Sequence, residues 1–160
     1  MITEKLYDKD SHIKAFTAKV IDCRKNENGF EVILDKTAFF PEGGGQYADT
    51  GKIGEADIND VQIINGEIVH YADRALNIGD ELCCEINWEQ RFRRMQNHSG
   101  EHIVSGIVHK LYGYENVGFH LGDDVTIDFD GELTREQLID VEKRANEAIY
   151  KNAKFTCEYP

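Results

Sequence analysis

The chain has no uninterrupted apolar run of roughly 18 residues, the length a membrane-spanning helix needs, so no span is expected. Proline is scarce, with two residues in 160, and no repeat or low-complexity segment occurs, which excludes collagen-like and disordered chains. Basic charge is also scarce. Eighteen Lys and Arg face 30 Asp and Glu, a net charge of −12. Such a surface repels phosphate backbones and excludes broad, non-specific nucleic-acid binding, while leaving room for a local basic patch. None of the four cysteines, Cys23, Cys83, Cys84 and Cys157, stands in a Cys-x-x-Cys pair. Without a secretory signal they are expected as reduced thiols. Met1 to Lys5 is polar and lacks the apolar stretch of a signal peptide, so a soluble cytoplasmic protein is expected.

What is present divides into two textures. Hydrophobic residues at 41% and aromatics at 10% are enough for a core, and 160 residues allow one ordinary domain or two small ones. Residues 12–87 read as strands. His12 to Cys23 and Phe30 to Asp35 flank a turn ending in Asn28-Gly29. Val61 to Ile64 and Glu67 to Tyr71 flank Asn65-Gly66, and Glu81 to Trp88 alternates again. Five or six short strands at such spacing predict a small barrel or curled sheet. From Trp88 the period becomes helical through Tyr112, Phe119 to Phe129 can hold two strands, and Thr134 starts a second helix. Thr134 and Gln137 form a capping-box pattern, and Leu138, Val141, Ala145, Ala148 and Ile149 supply an apolar stripe. Lys154 to Tyr159 reads as the start of a further strand. A boundary near residue 88 separates a net charge of −8 (9 bases, 17 acids) from −4 (9 bases, 13 acids).

The sharpest local feature is His98-Ser99-Gly100-Glu101-His102. Histidines at i and i+4 share a helix face about 6 Å apart along the axis, a spacing that lets two imidazoles hold one metal ion. On a wheel they lie opposite Ile103, Val104, Ile107, Val108 and Leu111, with Arg91, Arg94 and Ser105 on their own side. Two solvated histidines would give the same spacing, and zinc normally takes four ligands, or three plus water. The order His-x-x-Glu-His is also that of inverted zinc proteases, with Glu101 activating water and Glu142, Glu147 or Glu158 as a later ligand.

The other feature is Thr37-Ala38-Phe39-Phe40-Pro41-Glu42-Gly43-Gly44-Gly45-Gln46. A phosphate-cradling loop would follow its glycines with Lys, Ser or Thr and a helix. Gln46-Tyr47-Ala48-Asp49-Thr50-Gly51 follows instead, so a nucleotide loop is disfavoured and a sharp sheet turn remains open.

Together these segments resemble the editing domains of alanyl-tRNA synthetases and the free-standing AlaX-type editing proteins. The glycine-rich segment with Asp49 and Gly51 is similar to that family's motif. Arg91, Arg94 and His98 to His102 resemble its zinc-binding helix. Val117 to His120, Val125 to Phe129 and the Thr134 helix continue in the family's order. The resemblance implies an α+β fold, with a small N-terminal β-barrel over residues 1–87. Residues 88–160 would be part of a threonyl/alanyl-tRNA synthetase-type editing domain. It implies zinc-dependent hydrolysis of alanine tRNA carrying serine or glycine, with the tRNA acceptor end as partner. By position His98 and His102 would be two of four zinc ligands, and Thr37 would lie near the amino acid, where its hydroxyl can recognise serine. Gly43, Gly44, Gly45 and Gln46 would shape the wall of the site. Arg91 and Arg94 (with Arg93) form the best basic cluster, or else a solvated helix start. Glu101 is placed to accept a proton, or is a helix-surface carboxylate.

The family completes its zinc site with Cys-x-x-x-His, and Cys157 stands in Cys157-Glu158-Tyr159-Pro160 instead. The expectation is therefore a first portion of a longer editing protein, binding zinc weakly or not at all and weakly active or inactive alone. Its unpaired sheet edge would favour a homodimer. A non-catalytic fragment that binds the tRNA acceptor end or a protein is the alternative.

Overall fold

The computed structural model describes residues 2–121, 125–154 and 156, and the chain falls into two compact units, Met1–Arg94 and Met95–Pro160. Cys157 and Glu158 lie outside the described residues, as does most of the strand expected from Lys154 to Tyr159; Lys154 and Thr156 are in no strand.

The first unit is built from strands β1 (Glu4–Lys5), β2 (Ala15–Asn26), β3 (Gly29–Leu34), β4 (Lys36–Thr37), β5 (Gly51–Ile53), β6 (Ala56–Ile64), β7 (Glu67–Ala72) and β8 (Glu81–Ile86). Six of them follow one another in the order β2-β3-β7-β6-β5-β8, and β8 pairs back onto β2, which closes a barrel of antiparallel neighbours. A short parallel pair, β1 with β4, lies outside that ring. The alternation of side chains decides which residues fill the interior. In β6, Ala56 and Ile58 point inward. The register then shifts between Ile58 and Asp60, and Val61 becomes the inward residue. One extra residue in a strand reverses the parity of everything after it. With Val20, Val32, Leu34, Phe39, Ile53, Ile68 and Cys84 these residues form one apolar cluster. Each fully buried Val, Leu or Ile contributes about 1.5–3 kcal/mol. Cys23, Cys83 and Cys84 are free thiols.

The two expected hairpins differ in detail. Between β6 and β7, Asn65 and Gly66 have φ of 51° and 84° and form the whole loop, as Asn-Gly predicts. Between β2 and β3, Asn26 pairs with Gly29, so the loop residues are Glu27 and Asn28, one step earlier than expected. The Asn26 side chain accepts the amide of Asn28 at 2.9 Å and sets the turn there.

Gly51 marks the closest approach in the barrel. A Cβ there would lie 2.1 Å from the carbonyl oxygen of Glu85 on the paired strand β8 and 2.9 Å from the Phe39 ring. Gly51→Ala is therefore expected to lower stability by about 2 kcal/mol in urea unfolding, because backbone cannot yield as a side-chain tip can. A loss under about 0.5 kcal/mol, the size of an ordinary surface change, would show that β5 and β8 separate freely.

Helix α1 (Trp88–Tyr112) begins in the first unit and supplies most of its length to the second, which also contains β9 (Asn116–Leu121), β10 (Val125–Phe129) and α2 (Arg135–Tyr150). β9 and β10 pair antiparallel. The Thr134 hydroxyl accepts the amide of Gln137 at 3.3 Å, and the Gln137 side chain accepts the amide of Thr134 at 2.8 Å, completing the capping box. Val141 and Ala145 of the expected stripe are buried, whereas Leu138 and Ile149 are exposed. Among the described residues no helix is long and apolar enough to cross a membrane.

Candidate functional site

In the second unit the helical period brings His98 and His102 together, with ring centres 4.8 Å apart and ring planes tilted by 30°. The ring of Phe119, on β9, lies 5.6 Å from that of His98. Burial, then the neighbouring His102, holds His98 below the ordinary imidazole pKa, against the opposing pull of Glu101. His98, Glu101 and His102 each bring a ligand atom to within 4.8 Å of the others, and among the described residues no further His, Cys, Asp or Glu joins the group. Glu142 and Glu147, the candidate later ligands of a protease reading, are exposed on α2 and outside it.

Glu101 is neither a surface carboxylate nor one open to water. Its side chain is 2% exposed, while that of His102 is 64% exposed. Oε1 accepts the Ser105 hydroxyl at 2.5 Å and the Asn116 amide at 2.5 Å. Oε2 faces Nδ1 of His102 at 3.1 Å. A general base must reach the proton it removes, and this carboxylate is enclosed by its own partners. The water-activating role that a protease reading needs is therefore unsupported.

In the first unit the glycine-rich segment forms a tight turn. Gly43 and Gln46 exchange both backbone hydrogen bonds, at 3.0 and 3.1 Å, around Gly44 and Gly45 at φ of 60° and 77°. Two successive residues at positive φ are what a primed hairpin turn requires, and glycine reaches that region without a Cβ clash. Gln46 is buried. Asp49 pins the segment from behind. Its amide donates to the Phe40 carbonyl and its carboxylate accepts the Phe40 amide at 2.7 Å.

Thr37 is fully buried. Its hydroxyl lies 2.9 Å from Nε2 of His70 and accepts the amide of Phe39 at 3.1 Å. His70 Nδ1 lies 3.1 Å from the Val32 carbonyl oxygen, and burial pushes the imidazole pKa down to about 4. Sequence reasoning misses His70, because one histidine among the apolar residues of a strand has no spacing partner to signal it.

The expected basic cluster comes apart. Arg91 is buried, not a solvent-facing substrate contact. Its guanidinium forks onto Asp49, with Nε at 2.8 and 2.9 Å from the two carboxylate oxygens and Nη2 closing the second bond. It also donates to the carbonyls of Ser11 and Ala38. Arg94 is half-buried. It donates to the Ala48 carbonyl and lies over the Tyr47 ring at 5.5 Å, with burial lowering its pKa. Arg93 projects into solvent, paired with Glu89 at 3.5 Å.

The family described as class II (A) tRNA synthetases matches residues 4–90. An alanyl-tRNA editing protein, AlaX-L of Pyrococcus horikoshii, is 34% identical over 165 residues, covering 98% of this chain and 41% of the relative. The AlaX-M protein of Saccharolobus solfataricus is 35% identical, covering 96% of this chain and 67% of the relative. An alanine–tRNA ligase of Ignicoccus hospitalis is 38% identical, covering 96% of this chain and 18% of the relative. The chain thus spans about two fifths of the length of the first of these relatives.

Proposed function

This chain belongs to the class II (A) tRNA synthetase family, in the branch of the alanyl-tRNA editing proteins, and from that premise we propose that it acts in hydrolytic editing of alanine tRNA mischarged with serine or glycine. Water adds to the carbonyl carbon of the aminoacyl ester, the bond to the ribose oxygen breaks, and that oxygen leaves as a hydroxyl. The need arises because a pocket for alanine discriminates weakly against a residue smaller by one methyl or larger by one hydroxyl.

The observation that carries the reading is the His98–His102 pair, two imidazoles on one helix face with ring centres 4.8 Å apart. Imidazole nitrogens at that spacing fit part of a zinc site, so His98 and His102 would hold the ion, with further ligands needed to complete it. Bound there, zinc would supply Lewis-acid polarisation of the ester carbonyl. On this reading residues 88–160 belong to an editing domain. The tRNA acceptor end is the partner, met in the cytoplasm.

The test is release of serine or glycine from the corresponding alanine-tRNA esters with zinc supplied. At most weak deacylation is expected from this chain alone, and none in His98→Ala or in His102→Ala. Equal rates in both variants would remove the metal assignment. Binding of the acceptor end without deacylation would favour the non-catalytic alternative.

A further inference from the structure

The first unit carries a surface cluster of rings at the start of α1. Asn87 precedes that helix. Its side-chain oxygen accepts the Gln90 amide at 3.3 Å, and its own amide donates to the Thr50 carbonyl at 2.8 Å, which ties the first turn to the barrel. Trp88 and Phe92, four residues apart on one helix face, stack with ring centres 5.6 Å apart and planes 26° from parallel. The His12 ring lies 5.9 Å from that of Trp88. The Ile86 amide donates to the Lys14 carbonyl at 2.9 Å, which sets Lys14 beside the helix start, and its ammonium lies over the Trp88 ring at 4.7 Å. Trp88 is half-buried and stands outside the apolar cluster that fills the barrel, and Phe92 is 42% exposed. Among the described residues no carboxylate comes within ion-pair distance of the Lys14 ammonium. Of the acidic neighbours, Glu89 faces Arg93 at 3.5 Å and Asp10 accepts the His12 amide at 2.8 Å.

We propose that Trp88, Phe92 and Lys14 form a stacking platform for an unpaired nucleotide base, with the exposed ring of Phe92 as its seat, a proposal that rests on tRNA being the partner. Every base has a flat π face, so stacking on an aromatic ring tolerates any sequence. It also needs few phosphate contacts, which suits a chain of net charge −12. Lys14, lodged on Trp88, supplies the positive charge that the adjoining phosphate meets. An unpaired ammonium beside the rings matches the anionic backbone that accompanies a base, which sets RNA ahead of an apolar protein surface. The capped first turn and the helical spacing arrange the rings in advance, so little ordering is needed on binding.

Trp88 is the only tryptophan of the chain, so its fluorescence reports this patch alone. The titrant is a short unpaired RNA ending in CCA, added to the full chain, with a blunt RNA duplex and inorganic polyphosphate as controls. The unpaired RNA is expected to quench Trp88 saturably, and the controls to leave it unchanged. Phe92→Ala is expected to weaken binding at least about 5-fold, the loss of one stacked base. Should that variant fail to fold, Lys14→Gln keeps the rings and is expected to flatten the slope of log affinity against log salt by about 0.7, one phosphate contact. No quenching, equal quenching by duplex or polyphosphate, or unchanged affinity and salt slope in the folded variants overturns the platform. Quenching that follows protein concentration without RNA would make the patch a contact between copies of the chain, and overturns it as well. Alanine tRNA that binds the parent and both variants equally would remove the platform and leave tRNA as the partner. Binding of neither tRNA nor RNA would remove both. Quenching by the unpaired RNA without deacylation would leave the platform standing and remove hydrolysis.

Discussion

Arg91→Ala is expected to remove about 4 kcal/mol from the unfolding free energy, because it leaves a carboxylate buried without its counter-charge. The two side chains are 3% and 1% exposed, and the guanidinium also donates to the carbonyls of Ser11 and Ala38. One residue at the start of α1 thus ties three separate stretches of the first unit together. Replacing both partners by apolar groups of similar volume, as in Asp49→Leu with Arg91→Met, should cost much less than the sum of the two single changes. Urea unfolding at neutral pH compares the parent chain with all four variants. An Arg91→Ala loss below about 1 kcal/mol would place the pair with ordinary surface ion pairs and refute the anchoring role.

The second large effect is acid destabilisation through His70. Its imidazole titrates at about 4 in the folded protein against an ordinary 6.5. Between those values the unfolded chain takes up a proton that the folded chain refuses. Stability is therefore fully present above pH 6.5 and drains away as pH falls toward 4. A shift of this size is worth about 3 kcal/mol. Carboxylates titrate in the same acid range, so the contribution is read as the difference in slope between the parent chain and His70→Gln. Parallel stability–pH curves for the two chains would contradict it, as would a His70 ring signal titrating near 6.5.

How much could be read from the residues depends on how far apart the partners are in the chain. Thr134 and Gln137 cap α2 from three residues apart, and Asn65-Gly66 turns on itself, so local rules suffice for both. The His98–His102 pair is legible because a helix repeats rigidly. Arg91 reads as part of a solvated helix start because Asp49, which buries it, lies 42 residues earlier. Glu101 reads as a free carboxylate because Asn116 reaches it from another element, 15 residues on. The wheel places the histidines opposite the apolar stripe, yet Glu101, beside them, is one of the buried charged groups. Periodicity sorts apolar from polar faces and is blind to a polar group satisfied by partners from elsewhere.

The bonds around Thr37 and His70 have a direction as well as lengths. They begin at the Phe39 amide, which can only donate, and end at the Val32 carbonyl, which can only accept. Everything between must point the same way. Thr37 accepts from Phe39 and passes its own proton to His70 Nε2, and His70 passes the proton on Nδ1 to Val32. The backbone at each end therefore dictates the tautomer, and no rotation of the hydroxyl alone can reverse the sequence. Toward any further group, Thr37 has a lone pair to give and no proton. It would welcome an ammonium or hydroxyl donor and turn away a carbonyl.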